Sequence, residues 1–169
     1  VTPLSWWTVG YAVLAVLVVV AVRGPLVRRT GWRPAWTVVS LLALAAVLAV
    51  TLAPSRDFPR PLGVGSCLRE AAGQVRNGSA FALGGAQAEL NLVLLVPLGT
   101  ALVLATRRVR VPLAVVLALP ALVELTQTQV PGRLCSGNDY VVNVTGGLGG
   151  VALGVALVAL TRVIGRLRA

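Results

Sequence analysis

Glu124, Gln127, Asp139 and Asn143 are the side chains in this sequence best suited to chemistry, because they interrupt runs that are otherwise apolar. All four fall within one stretch, ELTQTQVPGRLCSGNDYVVN, residues 124–143. A carboxylate in apolar surroundings can act as a general acid or base, or accept hydrogen bonds from a ligand. An amide both donates and accepts. Arg133, between the two pairs, offers a planar fork that can pair with either acid or hold a phosphate or carboxylate bidentately. Asn91 opens another apolar run, in Glu89-Leu90-Asn91, and Pro97 and Gly99 follow it. Those two residues can loosen a helix and free a carbonyl toward its neighbours.

The elements that must carry these groups are membrane spans. Hydrophobic residues make up 57% of the 169 and charged residues only 12%. The apolar residues come in blocks of roughly 17–21, the length that crosses a hydrocarbon core of about 30 Å at 1.5 Å per residue. Five blocks are expected to span: residues 4–22, 36–53, 90–106, 111–130 and 140–160. Each must satisfy its own backbone in lipid, so each is read as a helix. The fold class expected is therefore all-α, a polytopic transmembrane helix bundle of about five spans. Trp6, Trp7, Trp32 and Trp36 lie near block ends, where indoles favour the interface.

Helical geometry gathers the polar groups. Glu124 and Gln127 are three apart and share a face. Glu124 is fourteen residues beyond Arg110, which sets it about 21 Å along the span. Asp139, Asn143, Gly146, Gly150 and Gly154 fall within an arc of about 80°. That stripe starts polar and becomes a small-residue seam at Gly146, Gly150 and Gly154, where another helix can approach closely. Two readings are open: a buried network that fastens the fourth and fifth spans, or a ligand or catalytic site. The second is favoured, because two acids, an arginine and several amides converge at one depth.

The formal charge of +10 does not point to nucleic acid. The arginines flank apolar blocks instead of forming one face, and read as topology signals and anchors for anionic lipid. Arg23, Arg28, Arg29, Arg33, Arg107, Arg108, Arg110, Arg162, Arg166 and Arg168 fall on one side of the five-span layout. Arg56, Arg60, Arg69, Arg76 and Arg133 fall on the other. The positive-inside rule puts the N-terminus outside and the C-terminus in the cytoplasm. The first block lacks a basic leader and is followed by arginines, so it reads as a retained span. There is no Met, so Val1 is either an alternative start codon read literally or the end of a trimmed chain. In the long outer loop the later half, residues 67–81, is expected to hold a short surface helix. Asn77-Gly78-Ser79 there fits a glycosylation acceptor but reads as a turn.

The two cysteines, Cys67 and Cys135, both fall in outer loops, where disulfides persist, and a bond between them is expected. It would pin the long loop over the 133–139 turn. There is no His, and no convincing metal-ligand set or cofactor motif.

The polar residues, taken in order, resemble the VanZ-like family, named for a teicoplanin-resistance membrane protein. The pattern is Asn91, Pro97-Leu98-Gly99, Glu124-Leu125-Thr126-Gln127, Arg133, Asp139, Asn143 and the glycines from Gly146 to Gly154. Ser136 and Asn138 stand where family members often carry acids, which argues further against a metal. The resemblance covers about residues 51–160. It implies a VanZ-like transmembrane domain at 51–160, preceded by N-terminal spans at 1–50 and followed by a short basic cytoplasmic tail at 161–169. It also implies a bacterial plasma-membrane protein linked to reduced action of glycopeptide antibiotics.

The residues and the resemblance together suggest an outer-leaflet pocket formed by Asn91, Glu124, Gln127, Arg133, Asp139 and Asn143. Its partner would be membrane lipid, a lipid-linked cell-wall precursor or a glycopeptide. The rivals are a membrane enzyme modifying a lipid headgroup and a small transporter component. The lack of a partnered nucleophile leans against an enzyme, and the lack of an inverted repeat leans against a transporter. The layout makes a direct prediction: a cytoplasm-dependent reporter fused to the C-terminus will be active, and a periplasm-dependent one silent. The opposite result would reverse the topology.

Overall fold

The computed structural model describes residues 6–52, 63–78, 85–130 and 135–167, and it is helical throughout, with no strand among them. The helices are α1 (Trp6–Thr30), α2 (Pro34–Leu52), α3 (Val64–Arg76), α4 (Ala86–Leu94), α5 (Val96–Thr106), α6 (Arg110–Gln127) and α7 (Gly137–Leu167). Four segments are long and apolar enough to cross a membrane: α2, α4 with α5, α6 and α7. α1 adds a fifth apolar helix, 25 residues long. Its Leu14, Leu17 and Val20 are more than half exposed. Leu42, Leu90, Val93, Leu122, Leu153 and Leu160 on the other helices are exposed as well. An apolar coat of that extent belongs in lipid, not water. The chain is an all-α, polytopic transmembrane bundle, as the sequence leads one to expect.

Helix ends account for the differences from the expected spans. α1 runs on past Val22, through Gly24, Pro25 and the arginines, until Gly31, whose φ of 69° ends it in the left-handed conformation. Pro34 then opens α2 at a position that needs no backbone N–H. α4 starts earlier than the apolar run, at Ala86, and the third span breaks at Leu95. Pro97 sits in the first turn of α5, where its missing N–H costs little. α6 stops at Gln127 and tightens into a turn, with Gln129 N–H on the Thr126 carbonyl and Val130 N–H on that of Gln127. At 31 residues α7 is about 46 Å long, so its last turns, with Arg162 and Arg166, extend past a 30 Å core. The short helix expected at 67–81 is α3, which begins at Val64 and ends at Arg76. Phe81 and Ser79 lie outside the described residues, as do Arg56, Arg60 and Arg168.

α7 is the axis of the bundle. It packs against α5, α4, α6 and α3, while α1 packs on α2 at the edge. α4–α5 runs parallel to α7, in contact along its glycine seam. A Cβ on Gly146 would collide with the Leu92 carbonyl oxygen, and one on Gly150 with that of Val96. A Cβ on Gly154 would come within 2.7 Å of Val103 Cβ. From the other side, Gly99 lies against the backbone of Gly147 and Gly150. The helices thus touch backbone to backbone, the contact that small residues permit in lipid. Thr100 adds a hydrogen bond across it, from its hydroxyl to the Gly150 carbonyl at 3.0 Å. α5 is buried on all sides from Ala101 to Ala105, as expected of a helix apolar all round.

The seam predicts two opposite outcomes one residue apart. Gly150→Ala must push α5 from α7 and should lower the melting midpoint, at a cost of about 1–3 kcal/mol. Gly149, with nothing within 4 Å of its Cβ position, should accept Ala without loss or with a small gain. Thermal melts of the two purified variants decide it. Equal melting would mean that the helices do not meet along this stripe.

Candidate functional site

The polar residues of the fourth and fifth spans meet at the end of the bundle where α6 finishes and α7 begins. Ser136 joins them. Its hydroxyl accepts the N–H of Asp139 at 3.3 Å, which makes it the N-cap of α7. Asp139 in that first turn also suits the positive end of the helix. The backbone N–H of Ser136 donates to Glu124 Oε2 at 2.7 Å. Glu124 is 6% exposed. One residue therefore connects both acids, and Glu124 is held by a backbone donor on the next helix.

Gln127, one turn farther along α6, is equally buried. Its Nε2 donates to the Thr51 carbonyl at 2.8 Å and so ties α6 to α2. Asn143, one turn into α7 from Asp139, donates through Nδ2 to the Asp139 carbonyl, also at 2.8 Å. Both partners are carbonyls, which accept only, so the amide nitrogens must face them. The amide oxygens are then fixed too. Gln127 Oε1 and Asn143 Oδ1 are buried and have no hydrogen-bond partner among the described residues.

α6 and α7 are antiparallel, and Val116 lies opposite Gly147. Asn143 is therefore inward of Glu124 along the bundle axis and Gln127 is outward. The three form a polar column about two turns deep. Its uncommitted capacity is to accept, because the two amide oxygens are unmet among the described residues.

α3 closes this end. Its inner stripe is Cys67, Ala71 and Gln74, spaced as one helical face. Cys67 is bonded to Cys135, with their Cα atoms 5.1 Å apart, so the expected disulfide is present. Gln74 Oε1 accepts the N–H of Asn138 at 2.8 Å, and a Cβ on Gly137 would crowd Ala71. From α4, Gln87 Nε2 donates to Asp139 Oδ2 at 3.2 Å.

Of the residues singled out from the sequence, Glu124, Gln127, Asp139 and Asn143 share this end of the bundle. Asn91 is half-buried on α4, one turn beyond Gln87, and no hydrogen bond joins its side chain to those four. Arg133 lies outside the described residues. Gly146, Gly150 and Gly154 form the packing seam. Sequence reasoning missed Ser136, Gln74, Gln87 and Thr51. A signal existed for Ser136, which stands three residues before Asp139 as an N-cap does. Gln87 is four residues before Asn91 and so on its face. Nothing marked Gln74 or the Thr51 carbonyl. Among the described residues no three His, Cys, Asp or Glu side chains group as metal ligands.

Fold and site together define a polytopic helical membrane protein with a polar cluster at one end, closed by a disulfide-tethered amphipathic helix. The chain belongs to the VanZ/LLP1 family, whose model matches residues 9–159. That match starts within α1, ahead of the motif residues. Comparison with curated proteins and with solved structures gives no match.

The tether is open to a direct test. With 68 residues between the cysteines, the loop-entropy model gives a stabilisation of about 4 kcal/mol, less whatever the inserted helices already restrict. In the denatured, unreduced protein neither cysteine should react with a maleimide, and both should react after reduction. Cys67→Ser should melt below the wild type. Full labelling before reduction would remove the tether.

Proposed function

We propose that this VanZ-family protein sits in the bacterial plasma membrane with its polar end at the outer leaflet. There it binds a lipid-linked or peptidoglycan-related ligand and influences susceptibility to glycopeptide antibiotics. The observation that carries the reading is the pair of buried amide oxygens without a hydrogen-bond partner among the described residues, at the same end of the bundle as a buried carboxylate. An unmet buried acceptor costs about 1–3 kcal/mol, and a packing network would be expected to satisfy its members. Groups kept at such a cost suit a ligand that brings donors. Hydroxyls and amides of a sugar or peptide headgroup supply them, and Arg133 is placed in sequence to hold an anionic part of the same headgroup. The family's link to glycopeptide resistance agrees with a ligand of the cell wall.

A catalytic role is the second reading. It is favoured by Glu124, a buried carboxylate at this end of the bundle that could take or give a headgroup proton. Profiling of lipids and cell-wall precursors in a deletion strain separates the two. A changed headgroup or precursor would indicate catalysis, and unchanged chemistry would indicate binding.

Binding itself is tested by mass spectrometry of lipids and precursors that copurify with the protein. Asn143→Leu removes an unpaired acceptor and should leave the protein as stable as wild type, or more so, while ligand is lost. Glu124→Gln can still accept from Ser136 N–H, so it should accumulate normally but retain about tenfold less ligand, the loss of one charge-assisted hydrogen bond. If both variants keep their ligand, the cluster is not the site. If both fail to accumulate, the polar groups serve packing.

A further inference from the structure

A second place where the molecule is unbalanced lies at the opposite end. α1 and α2 leave a groove between them of about 420 Å³, walled by Val27, Pro34, Ala35 and Val38, with Arg23 and Arg28 at its edge. Gly24 lets this happen: the Arg28 guanidinium folds over it, and Nη1 would sit 3.4 Å from a Cβ there. Both arginines are exposed, and they follow directly on the lipid-facing run that ends at Val22.

Among the described residues these charges have no carboxylate partner. The sequence holds no Asp or Glu before Asp57, and none between Glu89 and Glu124. The described carboxylates, Glu70, Glu89, Glu124 and Asp139, belong to the other end of the bundle. More arginines crowd in instead. The Arg33 N–H donates to the Ala105 carbonyl at 3.1 Å, which seats the α1–α2 turn against the α5–α6 turn with its Arg107, Arg108 and Arg110. The fold thus assembles cations at one level, with no described carboxylate to offset them.

We propose that this groove is a binding site for an anionic phospholipid of the adjoining leaflet, its phosphate between Arg23 and Arg28 and an acyl chain along Val27, Ala35 and Val38. Charge complementarity calls for an anion, and the apolar walls choose a lipid over a soluble one. A free phosphate would leave those walls uncovered at the depth where chains begin. Guanidinium suits the phosphate because it offers several donors at a fixed geometry. Each cation near an anionic membrane surface favours binding, and two held at one groove combine their effect. The site is distinct from the polar cluster and does not depend on the reading given for it.

Native mass spectrometry of the full-length protein tests this, with phosphatidylglycerol and phosphatidylcholine of the same chain length offered together. Wild type should retain phosphatidylglycerol in preference. Arg23→Gln with Arg28→Gln should cut that preference about tenfold. Arg162→Gln with Arg166→Gln removes equal charge from α7, whose arginines do not line the groove, and should leave it unchanged. Ala35→Trp fills the groove without touching charge and should displace the lipid. Three results would overturn the proposal: equal retention of both lipids, equal loss from both arginine pairs, or an Ala35→Trp protein that keeps its phosphatidylglycerol. Displacement of the lipid by millimolar inorganic phosphate in the wild type would point instead to a soluble anion site.

Discussion

Everything in this bundle depends on how near α4–α5 can come to α7. Lipid gives no hydrophobic reward for pressing two apolar helices together, so their association rests on dispersion and on close backbone approach. Gly99, Gly146, Gly150 and Gly154 provide that approach by omission. Leu92, Val96 and Val103 occupy the space that side chains on α7 would take. Because the two helices run parallel in tight register, the first turns of α4 and α7 end at the same level. That register brings Gln87 to Asp139. The polar end is thus arranged by contacts about two to four turns deeper in the membrane.

Ser136 illustrates how few atoms hold that end together. As N-cap it settles the start of α7, and through its own N–H it fixes Glu124 on α6. Gln127 carries the link on to α2 at the Thr51 carbonyl. Four helices, α2, α4, α6 and α7, are therefore joined by a few hydrogen bonds around one carboxylate. Such bonds gain strength in surroundings of low dielectric, and the same surroundings make each unmet acceptor costly. The unpaired oxygens of Gln127 and Asn143 mark where this network stops short of satisfying itself.

The spans were legible because hydrocarbon thickness sets a length that apolar runs reveal directly. The polar cluster was legible for a related reason: a Glu or Asn within such a run is expensive, and helical spacing then says which ones share a face. The disulfide could be expected because Cys67 and Cys135 fell on one side of the layout. Other features left weaker traces. α3 is too short and polar to register as a span, and its ends lie beside Gly63 and Gly78, both at positive φ. Gln74 and Gln87 are ordinary surface residues in sequence; Gln87 meets Asp139 through the parallel register of α4 and α7, and Gln74 meets the Asn138 N–H because α3 packs on the start of α7. The break at Leu95 was foreshadowed by Pro97, whereas the extension of α7 past Leu160 had no signal beyond the absence of a helix breaker.

The bond between Cys67 and Cys135 also imposes an order on how the protein is made. Cys67 leaves the ribosome 68 residues before its partner, and it can be oxidised only when Cys135 stands on the same side of the membrane. That requires the α6–α7 hairpin to be inserted. α3 consequently stays loose until the last helices are in place, and its closure over the start of α7 completes the molecule's maturation. Where oxidation lags behind insertion, a fully inserted chain would accumulate whose polar end remains uncapped.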